Sequence, residues 1–158
     1  MPALGGLDGH APGIRVGGRV RSPLSHGRTF DLLQTQLLCH RPLTGDVEAD
    51  WRTVLAALAA GAVWLACPCV APGRGARLWA DLADGGIVAM GGEAPAGRAV
   101  LRVRLPRAAD VRVVRDGVPY HEARAAALDV DVEGRGVYRV EARIDGRLWL
   151  LSNPVHLR

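Results

Sequence analysis

The sequence predicts a mainly β protein in which residues 73–158 fold as an antiparallel β-sandwich. Apolar and polar side chains alternate with a period of two, most clearly from Val100 to Leu105. Similar runs recur about every ten residues without intervening helices, which favours an antiparallel sandwich over a parallel sheet. These runs are Asp110–Arg115, Leu128–Val132, Gly136–Ile144 and Arg147–Leu151.

Turn signals separate the predicted strands. They stand at Pro106, Asp116-Gly117, Gly134–Gly136 and Asp145-Gly146. A two-residue type I′ turn needs a positive φ at both central positions, which Asp and Gly tolerate, so Asp145-Gly146 predicts a hairpin. Short strands with frequent turns are typical of an Ig-like sandwich. Trp79, Tyr138 and Trp149 are expected to fill much of its core.

One helix is expected before the sandwich, over residues 46–60. Its predicted inward face carries Trp51, Val54, Leu55 and Leu58, which follow the i, i+3, i+4, i+7 spacing. Carboxylates near its start suit the helix dipole, and Gly61 is a natural C-terminal stop. Residues 63–66 then predict a short buried strand.

The first 45 residues are rich in Gly, Pro and His and show little periodicity, so they predict turns and extended segments. The run FDLLQTQLL, from Phe30 to Leu38, fits neither a clean helix nor a clean strand, and its conformation stays open. Exposed leucines in this region would favour self-association, and they are Leu32, Leu33, Leu37 and Leu38.

Composition narrows the class of protein. The formal charge is +4, but the basic residues are interleaved with carboxylates, which is typical of a solvated surface. No leader or membrane segment is visible, so a cytoplasmic protein is expected. Cys39, Cys67 and Cys69 are expected to be buried free thiols, although Cys67 and Cys69 could form half of a metal site.

The N-terminal string GGLDGHAP contains the clearest chemical signal. Asp8 and His10 lie two residues apart, so in an extended segment their side chains point the same way. A carboxylate oxygen and an imidazole nitrogen are suitable ligands for zinc, manganese or iron. The alternative is a polar surface turn, with Asp8 capping a backbone amide and His10 exposed.

The same string resembles the last metal-binding motif of the PHP (polymerase and histidinol phosphatase) family, with the core Gly-x-Asp-x-His. One branch of this family carries a helix and a β-sandwich after its α/β barrel, and the rest of the chain resembles that ending. The matching strings are MGGE at 90–93, VVRDG at 113–117, GVYRVEA at 136–142 and LSNPV at 151–155. The resemblance implies that residues 1–72 are a C-terminal remnant of a PHP barrel (a loop, one helix and a short strand) and that residues 73–158 are its trailing sandwich.

The resemblance also implies an activity. Asp8 and His10 would be metal ligands, and the parent enzyme would be a metal-dependent phosphoesterase whose divalent ion polarises the phosphoryl oxygen and activates water. The family's His-x-His motif and further ligands are not found within residues 1–158. We therefore expect this chain alone to be inactive and to need a PHP barrel segment or chain as its partner.

Three other functions were weighed. Residues 73–158 could be an autonomous β-sandwich binding or interaction module without enzymatic activity. Nucleic-acid binding through Arg102, Arg104, Arg112 and Arg115 has favourable charge but no recognised motif, so it is not expected. Ser25-His26 and Ser152-Asn153 could imitate part of a nucleophilic site, but neither has a visible base and oxyanion hole.

Overall fold

The structure, a computed structural model, describes residues 2–6, 14–21 and 29–158. It is mainly β, as predicted, and an α-helix, α1, spans Val47–Ala59. The strands, in chain order, are β1 (Ile14–Val16), β2 (Arg19–Arg21), β3 (Gln34–Leu37), β4 (Val63–Ala66), β5 (Arg77–Leu82), β6 (Ile87–Ala89), β7 (Glu93–Ala94), β8 (Gly97–Arg115), β9 (Val118–Gly134), β10 (Gly136–Ile144), β11 (Arg147–Ser152) and β12 (Val155–Leu157).

Most strands join one curled antiparallel sheet in the order β3-β4-β11-β10-β8-β5-β6, and β9 pairs with β8. The curl follows from the pairing of β8. Its first half pairs with β5, Ala99 lying opposite Leu82, whereas its second half pairs with β10, Val113 lying opposite Val140. The two halves of one long strand therefore belong to different parts of the sheet, which folds around a common core.

The predicted turn at Pro106 is wrong, because β8 continues through it. Residues 105–108 of β8 have only Ala126 opposite them on β9, so the extra residues form a bulge. Proline has no backbone N–H, and a bulge is one of the few places where a strand accepts it. The strand bends there instead of ending, and β9 likewise extends well beyond the predicted 128–132.

The predicted hairpin at Asp145-Gly146 and the predicted turn at Asp116-Gly117 are both confirmed. Asp145 and Gly146 have φ values of 50° and 74°, and Ile144 pairs with Arg147 across the turn. Asp116 and Gly117 have φ values of 50° and 88° between β8 and β9. Positive φ at both central positions matches the twist of the flanking strands, as expected for a type I′ turn.

Helix α1 confirms the predicted segment. Asp46 is the N-cap, and its side chain accepts a hydrogen bond from the Ala49 N–H at 2.8 Å. Gly61, with a φ of 68°, follows the end of the helix.

The predicted inward face of α1 is wrong in part. Trp51 and Leu55 are 61% and 42% exposed, and the buried residues are Thr53 and Ala57. The Thr53 hydroxyl is held inward by two hydrogen bonds, donating to the Ala49 carbonyl and accepting from Arg41 Nε. Because Thr53 and Ala57 have small side chains, the helix packs closely against the sheet through them. This packing, and not the stripe of larger apolar side chains, decides which face of the helix is buried.

Two of the three aromatic residues that were predicted to fill the core do so. Tyr138 and Trp149 are fully buried, and Trp149 Nε1 donates to the Ala71 carbonyl at 2.7 Å. Trp79 instead lies half-buried on the outer face, because Leu78 and Ala80 on either side of it point into the core. Trp64 also fills the core, from β4, which confirms the short buried strand predicted at residues 63–66.

The segment before residue 73 joins the same sheet. β3 pairs with β4, β4 pairs with β11, and Trp64 and Ala66 belong to the common core. The open run from Phe30 to Leu38 contains β3, and of its leucines Leu32 is exposed while Leu33 is half-buried. The division at residue 72 into a barrel remnant and a sandwich stays a prediction.

The three cysteines are free thiols, as expected, but they are not buried: Cys39 and Cys67 are half-buried and Cys69 is exposed. Partial burial raises the pKa of the Cys67 thiol, and the neighbouring Cys69 raises it further. No helix in the described part of the chain is both long and apolar enough to cross a membrane.

Gly91 should be the least replaceable glycine of the fold. Its φ is 85°, and an added Cβ would lie 1.9 Å from the Ala60 carbonyl oxygen. We predict that Gly91→Ala lowers the free energy of unfolding by at least about 3 kcal/mol, measured by urea denaturation. Gly146→Ala is the control, since Gly146 has a similar φ but open space, and should cost only about 1 kcal/mol. Equal losses would show that the contact with Ala60 is not tight.

Candidate functional site

The residues predicted to bind metal, Asp8 and His10, lie outside the described residues. What the structure describes is the segment that leads to them, Pro2–Gly6, and the contacts that hold this segment on the sandwich. These contacts form the candidate site, which we call the N-terminal clamp: Ala3 and Gly5 with the side chains of Asn153 and Thr35.

Asn153 holds Ala3 with both ends of its carboxamide. Its Oδ1 accepts from the Ala3 N–H at 2.8 Å, and its Nδ2 donates to the Ala3 carbonyl at 3.2 Å. Asn153 itself is 3% exposed, and its backbone N–H donates to the Val63 carbonyl. A buried amide that satisfies one N–H and one C=O replaces the pair of bonds that a neighbouring strand would make.

Thr35 holds Gly5 in the same reciprocal way. Its Oγ1 accepts from the Gly5 N–H at 3.1 Å and donates to the Gly5 carbonyl at 2.7 Å. A Cβ on Gly5 would lie 2.9 Å from the Leu65 side chain and 3.1 Å from that of Leu33, so the backbone lies directly on these leucines. Two side chains therefore hold alternate residues of the segment just before Asp8.

Two strings that carry the family resemblance meet at this clamp. Gly91, from MGGE, donates its N–H to the carbonyl of Pro154, from LSNPV, at 2.7 Å. A Cβ on Gly61 would lie 3.2 Å from the Cβ of Pro2 and 3.3 Å from the Cα of Gly91, so three segments meet in close contact. A cavity of about 240 Å³ remains between them, lined by residues that include Asn153 and His156.

The other two strings form the sheet that supports the clamp. VVRDG ends β8 and GVYRVEA opens β10, and the two strands pair with Val113 opposite Val140. The Val140 N–H donates to Ser152 Oγ at 2.8 Å in the buried interior. Ser152 and Asn153 thus serve as hydrogen-bond partners of the backbone, which accounts for both side chains without a nucleophilic role.

His156 lies at the edge of the clamp. Its Nδ1 is buried and has no hydrogen-bond partner among the described residues. Burial lowers the pKa of His156, Arg158 lowers it further, and Glu93 partly opposes this shift. Because a lowered pKa disfavours the imidazolium, burial favours the neutral form of His156.

The described residues do not assemble a metal centre of their own. Across residues 2–6, 14–21 and 29–158, no three His, Cys, Asp or Glu side chains are grouped as a bound ion requires. Asp8 and His10 would add two donors, whereas catalytic zinc sites use three protein ligands and structural ones four. The described residues by themselves therefore do not provide the three or four ligands of a complete zinc site.

The arginines considered for nucleic-acid binding are all paired with carboxylates. Arg102 bridges Asp81 and Asp129, and Arg104 also binds Asp129. Arg112 pairs with Glu122 and Arg115 with Asp116. A carboxylate thus offsets the charge of each of these four arginines, and the expectation that nucleic acid is not a partner stays a prediction.

The strings MGGE and LSNPV can be recognised in the sequence, but the contacts that their residues make at the N-terminal clamp cannot. The clamp depends on Asn153, Gly91 and Thr35, which lie far apart in the chain and meet only through the sheet. One feature of the sequence does point to Asn153: it is the only asparagine of the sequence, and most of its neighbours are apolar.

Acid should destabilise the outer face through Asp129. Hydrogen bonds from Arg104 and then Arg102 lower the pKa of Asp129 below its ordinary value of 3.8. A carboxylate whose pKa is lower in the folded state than in the unfolded state stabilises the fold at pH values above its unfolded-state pKa. This stabilisation is lost as the pH falls through the folded-state pKa. We predict that Asp129→Asn reduces the fall in melting temperature between about pH 5 and about pH 2. Carboxyl groups titrate within this pH range. Asp131→Asn is the control, because Asp131 lies on the same strand and makes no ion pair with the described residues, and it should leave that fall nearly unchanged.

Two substitutions should each loosen one of the backbone residues that the N-terminal clamp holds. Asn153→Ala should speed hydrogen exchange at the Ala3 amide, and Thr35→Val should speed it at the Gly5 amide, because each removes the acceptor of that N–H. Asn153→Ala should also cost about 1–2 kcal/mol of stability. Amide exchange followed by NMR tests both. Unchanged exchange at Ala3 in Asn153→Ala would show that the segment is not held by this side chain.

Comparison with known proteins does not identify the chain. No family model, no curated protein and no solved structure matches it. We therefore infer a function from the residues of the chain and from the contacts they make.

Proposed function

We propose that this chain is the C-terminal part of a PHP-type, metal-dependent phosphoesterase of the cytoplasm. In this proposal Asp8 and His10 are two ligands of the metal site, and a PHP barrel outside residues 1–158 supplies the others. The chain alone is then inactive, because two donors do not hold a catalytic ion in a defined geometry.

The observation that carries the proposal is the meeting of the family-like strings at the N-terminal clamp. MGGE and LSNPV contact each other through Gly91 and Pro154, and LSNPV holds Ala3 through Asn153. Ala3 lies five residues before Asp8 in the sequence. These reciprocal hydrogen bonds support a sandwich that packs against the segment before Asp8 instead of merely following it in the chain.

The clamp also suggests what the sandwich does for the enzyme. A metal ligand is effective when its backbone is held in place by surrounding contacts. Asn153 and Thr35 fix the backbone at Ala3 and Gly5, and this anchors the start of the segment that carries the two ligands. The sheet, through β3 and the residue that follows β11, would thus position ligands and take no direct part in the chemistry.

The alternative, an autonomous β-sandwich module without enzymatic activity, has one observation in its favour. The sheet encloses a continuous core that extends from Trp64 to Leu157, so the described chain buries its own apolar side chains. The experiment below separates the two functions, since an independent module has no need of Asp8 and His10.

The proposal is tested by titrating the purified chain with Mn²⁺ and Zn²⁺ in a calorimeter and assaying hydrolysis of p-nitrophenyl phosphate. We expect weak binding that Asp8→Ala/His10→Ala abolishes, and no turnover in either protein. Asp131→Ala/His121→Ala removes the same two residue types from exposed positions and should leave binding unchanged. A second expectation concerns the gene: sequence in frame upstream of Met1 should encode a His-x-His motif.

Two results would contradict the proposal. Identical titrations for the wild-type chain and the Asp8→Ala/His10→Ala variant would show that these residues are not ligands. Metal-dependent turnover that the same variant loses would show that the chain has a complete site.

A further inference from the structure

A cavity of about 650 Å³ opens between the edge strand β3 and the loop that leads into β5. Gln34 and Gln36 line it from β3, and Trp64 lines it from β4. The opposite wall includes Pro68, Pro72 and Arg74. Its volume is within the range of about 300–1,000 Å³ that is usual for small-molecule sites.

The polar groups around this cavity are mainly hydrogen-bond donors without protein partners. Arg74 and Arg77 are the charged residues among the described side chains that line it. Arg74 makes no ion pair with the described residues, and Arg77 donates only to the Ala76 carbonyl. The carboxamides of Gln34 and Gln36 likewise have no hydrogen-bond partner in the described part of the chain, although each could donate to a ligand.

This arrangement differs from that of four arginines on β8. Arg102 and Arg104, on the outer face, are each paired with a carboxylate, and so are Arg112 and Arg98. Around the cavity, by contrast, two positive charges face no acidic side chain within the described lining. The local charge therefore favours an anion and disfavours a cation.

Trp64 lies in the core at the base of the cavity and has an unused hydrogen-bond donor. The residue is 1% exposed, and its Nε1 is buried without a hydrogen-bond partner among the described residues. A buried N–H without an acceptor is unfavourable, and such groups commonly mark a place where a ligand or water is bound. Pro68, Pro72 and Leu38 add further apolar surface beside the indole.

We infer that this cavity is a binding site for a small organic anion, with its carboxylate or phosphate group at Arg74 and Arg77 and its apolar body against Leu38, Pro68 and Pro72, above the buried Trp64. Guanidinium groups bind both kinds of anion through charge-assisted hydrogen bonds. The apolar walls favour a ligand with a hydrophobic ring or chain over a bare inorganic ion.

The site is separate from the N-terminal clamp and does not depend on the proposed metal chemistry. Gly5 lies against Leu65, whereas the cavity is lined by Trp64, the preceding residue of β4. Successive side chains of a strand point to opposite faces of the sheet. The cavity and the clamp therefore lie on opposite sides of β4.

The inference is tested by adding benzoate, phenyl phosphate or acetate to ¹⁵N-labelled chain and following the four tryptophan indole N–H signals, assigned by single Trp→Phe substitutions. We expect benzoate or phenyl phosphate to shift the Trp64 signal and to bind at least about tenfold more tightly than acetate, which lacks an apolar ring. The tighter of the two aromatic ligands identifies the preferred anionic group.

Charge variants complete the test. Arg74→Gln/Arg77→Gln should weaken binding at least about tenfold. Arg107→Gln/Arg147→Gln makes the same change in net charge at two exposed positions and should leave the affinity unchanged. Equal affinity for all three anions, no shift of the Trp64 signal, or equal weakening in the two double variants would each overturn the inference.

Discussion

The pairing of β8 with two different neighbours is the constraint on which the rest of the structure depends. Because β8 bends at the bulge beside Pro106, one strand can pair with β5 before the bend and with β10 after it. The sheet then closes around a core that includes Tyr138 and Trp149. Without the bend, β10, β11 and β4 would extend the first half of the sheet instead of covering it, and the clamp formed by LSNPV would not exist.

Local side-chain pairs convert this architecture into a defined position for the N-terminal segment. The clamp uses one carboxamide and one hydroxyl, each of which both donates and accepts, so that no backbone group of Ala3 or Gly5 at the contact is left unpaired. The close contact of Gly91 with Ala60 and Gly61 leaves no room for side chains there. The clamp therefore depends on residue size as much as on hydrogen bonding.

Charge is distributed in two distinct ways on the same sheet. On the outer face, Arg102 lies between Asp81 and Asp129, so arginine and carboxylate neutralise each other. Around the cavity at β3, Arg74 and Arg77 have no such partners among the described lining residues. A positive formal charge spread over the whole sequence does not reveal this difference, since only the strand register decides which arginine faces which carboxylate.

The sequence by itself determined the elements that depend on local chemistry. The two Asp-Gly turns, the helix with its Asp46 cap and the period-two strands follow from the preferences of neighbouring residues. Tertiary structure decided the rest, because burial depends on what packs from elsewhere: it turned Trp51 outward, placed Trp79 on the outer face and changed the turn at Pro106 into a bulge. It also joined Asn153 to Ala3, which are 150 residues apart, a contact that no local pattern specifies.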